Sequence, residues 1–284
     1  MANLRDIKRR ITSVKSTQKI TKAMKMVAAA NLRRAQEAIV QARPYAFHMR
    51  DLVQRISQCS DTDMHPLLRP GAGKKIGLVV ITSDRGLCGG FNANIVNTAM
   101  KTLRADFADK DVEFTVVGRK GIEMLKRRDC KLGETFTDHF DGSVMRSAAD
   151  IIDSLADDFK KGETDEVYCI YNEFKSAVQQ KVVLERLLPV SLEDAPTEYV
   201  LDFIYEPDQE VVFDELLMKN MNVQMYRILR ESAASEFGAR MTAMESATNN
   251  AGDMIDRLTM DYNRARQSAI TTQLIEVISG AEAL

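Results

Sequence analysis

Tryptophan is absent from this 284-residue chain, aromatic residues make up 6% of it, and histidine occurs three times. With 15 methionines beside so few aromatics, the composition favours long helices over an all-β sandwich. His48, His65 and His139 stand singly, and none of the four cysteines (Cys59, Cys88, Cys130, Cys169) forms a C-x-x-C pair. A zinc site and a disulfide framework are therefore not expected, and the thiols read as ordinary reduced cysteines. No apolar run approaches the roughly 20 residues that cross a bilayer; Ile76–Ile81 and Met26–Ala30 are the best candidates. The start, Met1-Ala2-Asn3-Leu4-Arg5-Asp6, has no apolar region behind its charges, so no secretory signal and an intracellular location are expected. At 45% hydrophobic and 28% charged, the chain is too apolar for disorder and too charged for a membrane protein.

The net charge of -2 conceals an uneven distribution. Residues 1–36 carry ten basic side chains and one acid, Asp6, whereas residues 191–215 carry nine acids and no Lys or Arg. A basic block of this kind faces water, nucleic acid, anionic lipid or an acidic protein surface.

Proline and glycine are scarce early: no glycine precedes Gly71, and Pro44 is the only proline before Pro66. A heptad fits the N-terminus, with Leu4, Ile11, Gln18, Lys25, Leu32, Ile39, Ala46 and Val53 at a. Ile7, Val14, Thr21, Ala28, Ala35, Ala42, Met49 and Ile56 fall at d, so 13 of the 16 seam positions are apolar. Pro44 should kink this helix rather than end the pattern. Residues 3–57 would make a rod roughly 80 Å long, which needs a partner helix. The C-terminus offers one: from Ala234, a 3–4 spacing runs through Phe237, Met241, Met244, Thr248, Ala251, Ile255, Leu258, Tyr262, Ala265 and Ala269. The stripe then steps by one residue, as in a stutter, and continues through Ile270, Leu274, Val277, Ala281 and Leu284. That helix is expected from about 211 to the end, slightly weakened by Gly238, Gly252 and Gly280.

Between these helices, strands are expected at Ile76–Thr82, Val112–Val117, Glu166–Tyr171 and Val178–Leu187, and helices at Ala93–Phe107, Arg119–Arg128 and Val144–Lys160. Tyr199–Ile204 is a further candidate edge strand. The interleaving indicates an α/β domain with a mainly parallel sheet, inserted between two chain ends that pair as a long antiparallel coiled coil. The expected division is 1–58 for the first helix, 75–206 for the central Rossmann-like domain and 210–284 for the last helix.

The chemistry on offer is thin. Ile81–Asn92, with Gly86, Gly89 and Gly90, follows a strand and opens a helix, where phosphate loops occur, yet it contains neither G-x-G-x-x-G nor a P-loop. Tight turning and helix–sheet packing is the favoured reading, with nucleotide binding as the alternative. Cys88 lacks a nearby His and does not read as a nucleophile. The basic first helix runs its charges through an apolar seam, unlike a bZIP region, and an acidic protein partner fits it better than DNA or membrane. Gln18, Thr21 and Lys25 interrupt the seam, either to fix register or because this stretch faces outward to a partner; Ile20, Met24 and Val27 on another face support the latter. Ile270, Leu274, Ile275, Val277, Ile278 and Leu284 make the last 15 residues apolar on more than one face, a tip that needs a socket in another protein.

The run Arg5–Ala30 closely resembles the first helix of the γ subunits of F-type ATP synthases. Thr82–Asn94 resembles the start of their central domain, and Tyr262–Gln267 with Ile270–Leu284 resembles their C-terminal signature. The resemblance covers essentially the whole chain, with one departure: the family usually has Glu where this chain has Gln273. It implies a non-catalytic rotor shaft without cofactor or metal, seated in a hexamer of α and β subunits, with its α/β domain on the c ring beside ε. Rotation of the ring, driven by proton flow, would be passed to the β sites where ATP forms. It further implies β contact or coupling at Lys19, Lys22, Met24, Lys25, Arg266, Gln267, Thr271 and Glu276. The apolar tip becomes a bearing, and Tyr205, Glu206 and Asp208 the foot toward the c ring and ε. No paired-cysteine insertion precedes the last helix, so thiol switching is not expected, and no transit peptide is visible. The implied place is the cytoplasmic face of a bacterial inner membrane, reached only through the complex, with no nucleic-acid partner.

Overall fold

A computed structural model describes residues 4–57, 65–69, 71–138, 143–190 and 204–282. Helix α1 spans Leu4–Ser57 without interruption, 54 residues with Pro44 inside it. Its heptad is legible in burial: Ile7, Thr21, Ala28, Leu32, Ala35, Ile39, Ala42, Ala46, Met49, Val53 and Ile56 are all buried, and these are a and d positions. Helix α5 spans Gln209–Glu282, 74 residues. By internal contacts the chain forms two compact units, Met1–Ala28 with Arg240–Leu284, and Ala29–Ala239; both long helices contribute to both. In the first unit Thr21 meets Thr248 and Lys25 meets Glu245; in the second Arg43 meets Glu231 and Gln224 reaches Ala46. Rising numbers on one helix meet falling numbers on the other, so the pairing is antiparallel in each.

The remainder of the second unit is an α/β layer. Its elements are β1 (Lys75–Ile81), α2 (Phe91–Ala105), β2 (Asp111–Val117), α3 (Arg119–Lys126), β3 (Leu132–Phe136), α4 (Val144–Lys160), β4 (Glu166–Phe174) and β5 (Gln180–Leu188). The sheet order is β3-β2-β1-β4-β5, parallel except for the antiparallel edge strand β5. Strand β1 lies at the centre with both faces covered, which is why its sequence reads as a continuous apolar run rather than an alternation. Leu78 and Val80 pack with α2 and α3, while Val79 and Ile81 pack with α4 and with Val53, Ile56 and Leu217 of the long helices. Strand β3 was not anticipated: Leu-Gly-Glu-Thr-Phe is short, half exposed and without alternation. The candidate strand Tyr199–Ile204 lies outside the described residues except for Ile204, which is exposed and not in a strand.

Of the expected helix-weakening glycines, Gly238 has a steric explanation and Gly252 does not. A Cβ on Gly238 would stand 3.1 Å from the carbonyl oxygen of Ala177, in the turn between β4 and β5, so α5 passes this turn at backbone contact. A Cβ on Gly252 would meet only the Gln18 side-chain amide, at 3.2 Å. The two positions should therefore respond oppositely to substitution. Gly238→Val should destabilise the chain by about 1–3 kcal/mol through overpacking, whereas Gly252→Ala should be neutral or stabilise by up to ~1 kcal/mol through helix propensity. Urea-unfolding midpoints of the two full-length variants check this, and equal shifts would contradict it.

Candidate functional site

The glycine-rich loop after β1 spends its polar groups on itself. The Ser83 N–H donates to Asn92 Oδ1 at 3.0 Å, and Asn92 Nδ2 donates to Ser83 Oγ at 2.8 Å and toward Cys88 Sγ at 3.3 Å. Thr82 Oγ1 donates to the Val117 carbonyl and accepts the Gly121 N–H, tying the ends of β1 and β2 to the first turn of α3. Gly118 has φ +99°, and a Cβ there would fall 2.3 Å from the Thr82 carbonyl oxygen, so this junction requires glycine. In open α/β sheets ligands enter where the connections diverge, here between β1 and β4. Helix α5 packs into that end of the sheet. Ser235 Oγ donates to the Asn172 carbonyl at 3.0 Å, Glu231 Oε2 accepts the Phe174 N–H at 3.0 Å, and Ala239 joins the cluster of Cys88 and Phe91. The architecture that binds nucleotides elsewhere binds a helix of its own chain here.

A buried polar cluster holds this arrangement. Arg227 on α5 donates from Nη2 to both oxygens of Glu185 on β5, at 2.6 and 2.9 Å, and from Nη1 to Tyr171 Oη on β4 at 3.0 Å. Tyr171 in turn donates to Glu185 Oε2 at 2.7 Å. Arg227 Nε donates to Gln224 Oε1, and Gln224 Nε2 donates to the Ala46 carbonyl of α1. Arg50 of α1 reaches Glu185 and Gln224, both at 3.3 Å. One turn away, Arg43 of α1 grips Glu231 through Nε and Nη2, at 2.7 and 3.0 Å, and also donates to the Phe174 carbonyl. Two long helices and the adjacent strands β4 and β5 are thus joined through charge-assisted bonds in a low-dielectric site.

Electrostatics follow the geometry. Burial disfavours the Glu185 carboxylate, but the Arg227 guanidinium, the Tyr171 hydroxyl and Arg50 outweigh it and hold that carboxyl below its ordinary value. Burial likewise opposes the Arg227 charge, and Glu185 overcomes it, so Arg227 is held more firmly protonated than a free arginine. Burial pushes the Tyr171 phenol well up, leaving it a hydrogen-bond donor.

The residues singled out from the sequence fall elsewhere. In the unit of residues 1–28 and 240–284, Gln18 and Thr21 turn into the seam: Gln18 Nε2 lies 3.4 Å from the Thr248 carbonyl, and Thr21 Oγ1 2.8 Å from Thr248 Oγ1. Their register-fixing reading describes this geometry. Lys25 is paired with Glu245, while Lys19 and Lys22 are exposed beside it along an open groove. Met24 is half-buried, and Ile20 and Val27 are 57% and 61% exposed. Arg266, Gln267, Thr271 and Glu276 are exposed on α5, with Thr271 Oγ1 donating to the Gln267 carbonyl. Past Ala269 every described side chain of α5 is exposed, including Ile270, Leu274, Ile275, Ile278 and Val277, the last at 69%. Leu284 lies outside the described residues. In the unit of residues 29–239, Tyr205 packs half-buried against the core, Glu206 is exposed, and Asp208 accepts the Val211 N–H at the start of α5.

Comparison with known proteins accounts for a chain built from structural contacts and bare helical surface. The family model described as ATP synthase matches residues 3–284. The ATP synthase gamma chain of Geotalea uraniireducens is 49% identical over 290 residues, covering 100% of this chain and 99% of that one. The chain belongs to the ATP synthase gamma-chain family. The gamma chain of Moorella thermoacetica, 44% identical with full coverage of both, agrees. Among solved structures, the central stalk of the Tetrahymena thermophila mitochondrial ATP synthase superposes with a TM-score of 0.63 at 28% identity, covering 80% of this chain and 99% of that one. A Euglena gracilis mitochondrial ATP synthase chain gives 0.71 at 18% identity over 99% of this chain and 94% of that one, which speaks to the fold alone. A gamma chain is a non-catalytic subunit of its complex, and no described helix here is long and apolar enough to cross a membrane.

Sequence reasoning passed over Arg43, Tyr171, Glu185, Arg227 and Glu231. The available signal was Gln224, Arg227 and Glu231, spaced by three and four and so aligned on one face of the helical stretch Met221–Ala234. Glu185→Gln should cost about 3–5 kcal/mol at neutral pH, because it leaves Arg227 buried with its charge uncompensated. The folded Glu185 carboxyl holds its proton less tightly than the unfolded one. Its contribution is therefore complete above the ordinary value of 4.5 and fades as pH falls through the lower folded value. Unfolding free energies of the two proteins should converge as the pH drops below that point; a gap independent of pH would contradict the assignment.

Proposed function

We propose that this chain is the central rotor shaft of an F-type ATP synthase: it carries rotation of a membrane c ring into a hexamer of α and β subunits and so couples proton flow to ATP synthesis. The observation that carries the reading is the end of α5. Ile270, Leu274, Ile275, Val277 and Ile278 are large, apolar and exposed on a continuous helix, and no described residue covers them. An apolar helical end without a partner of its own suits a sleeve of apolar side chains that guides it without holding it.

In this reading Lys19, Lys22, Met24, Lys25, Arg266, Gln267, Thr271 and Glu276 face the β subunits, and Tyr205, Glu206 and Asp208 form the foot toward the c ring and ε. Functionally, residues 1–58 and 210–284 are the shaft and 75–206 the domain that rests on the ring. The complex would sit on the cytoplasmic face of a bacterial inner membrane. Each exposed lysine contributes only ~0–1 kcal/mol to any one contact, so the basic surface works collectively, through a field that favours acidic surfaces without fixing one rotational state.

Two experiments separate the electrostatic contact from the bearing. Lys19→Gln with Lys22→Gln spares the Lys25–Glu245 pair; proton-driven ATP synthesis by the assembled complex should fall, and unchanged coupling would refute the contact. Deleting residues 275–284 should weaken assembly or torque, and wild-type assembly with wild-type coupling would count against the bearing.

A further inference from the structure

In the α/β layer five cations are held by acidic side chains. Lys110 pairs with Glu166, Arg119 with Asp138, Lys120 with Glu123, Lys131 with Glu113 and Lys175 with Glu173. The outer face of α2 gathers several cations at one groove instead. Asn94, Asn97, Thr98, Lys101 and Arg104 follow a helical ridge, and with Arg128 and Val182 they line an open groove of about 780 Å³ that contains no carboxylate. Neither Lys101 nor Arg104 makes an ion pair among the described residues. Arg128 is oriented by neutral groups instead: Nη2 donates to Asn97 Oδ1 at 2.8 Å and Nη1 to the Val96 carbonyl at 3.4 Å.

We propose that this groove receives a carboxylate-rich segment of another subunit of the ATP synthase complex, its acids meeting Lys101, Arg104 and Arg128 while an apolar side chain packs on Val182. The assignment rests on the reading that the chain works inside that complex. Three cations with no internal counter-charge set the sign of the partner. Arg128 keeps free guanidinium N–H groups in a fixed plane, which suits bidentate carboxylate recognition. Alternation along β5 turns Leu184 to the same side as Val182, and Leu184 is itself exposed. The groove therefore borders on apolar surface, as an interface core bordered by charge requires. A free phosphate compound would use the cations but leave that apolar strip uncovered.

The test uses the assembled, detergent-purified complex with a photo-reactive p-benzoylphenylalanine at position 101. Illumination should give an adduct to an Asp/Glu-rich segment of another subunit. Lys101→Glu with Arg104→Glu should release that subunit about tenfold more readily at moderate salt, whereas Lys101→Arg with Arg104→Lys should retain it. Adducts only to lipid, to a neutral or basic segment, or to no subunit would overturn the proposal, as would equal retention by the charge-reversed and conservative variants. If the unaltered chain brings down no catalytic subunits, this proposal and the rotor reading fall together; if it does and the groove stays empty, only this proposal falls.

Discussion

The Arg227 guanidinium lies within the interior of the α/β unit, bonded to Glu185, Tyr171 and Gln224, and through Gln224 to the backbone of α1. Buried ion pairs add little net stability compared with apolar packing, but breaking one is expensive, because the surviving charge cannot reach water. That asymmetry suits a joint. A cluster of this kind resists partial opening: the helices cannot slide along the sheet by one residue without stranding Arg227 or Glu185, whereas an Ala- and Met-lined contact offers many nearly equivalent positions. The second grip, of Arg43 on Glu231 and Phe174, fixes the same helices at another point along the same edge of the sheet. Two separated polar contacts resist rotation in a way that one does not.

With α5 seated at the end of the sheet where doubly wound folds usually take a ligand, the α/β layer becomes a structural mount. Its connecting loop keeps the glycines of a phosphate-binding turn, but Ser83, Asn92 and Cys88 are bonded among themselves, and Thr82 latches β1 to β2 and α3. Shape and positioning replace chemistry, and the surfaces left to act on other molecules are helical faces. In the unit of residues 1–28 and 240–284 the seam is marked by Thr21, Thr248 and Gln18, hydrogen-bonding residues that favour one register among many that small apolar side chains would permit.

What could be read from the sequence depended on whether the information was periodic. The heptad from Leu4 to Ile56 repeats often enough that three polar substitutions did not hide it, and 11 of its 16 seam positions are buried. Strand β1 and helix α4 are strong because their apolar patterns are dense. Strand β3 is five residues with Gly133 and Glu134 inside, and only its pairing with β2 makes it a strand. The joint was invisible for another reason: Arg227 and Glu185 are 42 residues apart, Arg43 and Glu231 188 apart, and no local pattern links them. Gln18 and Thr21 were ambiguous on the same ground, since a polar seam residue looks alike whether its partner is another subunit or Thr248.

The most direct measurement is the distribution of distances between spin labels placed, through non-canonical amino acids, at Lys126 on α3 and Lys219 on α5, both exposed and both within residues 29–239. If the polar joint fixes the helices to the sheet, pulsed electron resonance on the full-length chain will give one narrow distribution, and Arg227→Gln combined with Arg43→Gln will broaden it. A broad or two-peaked distribution in the unsubstituted chain would contradict the account.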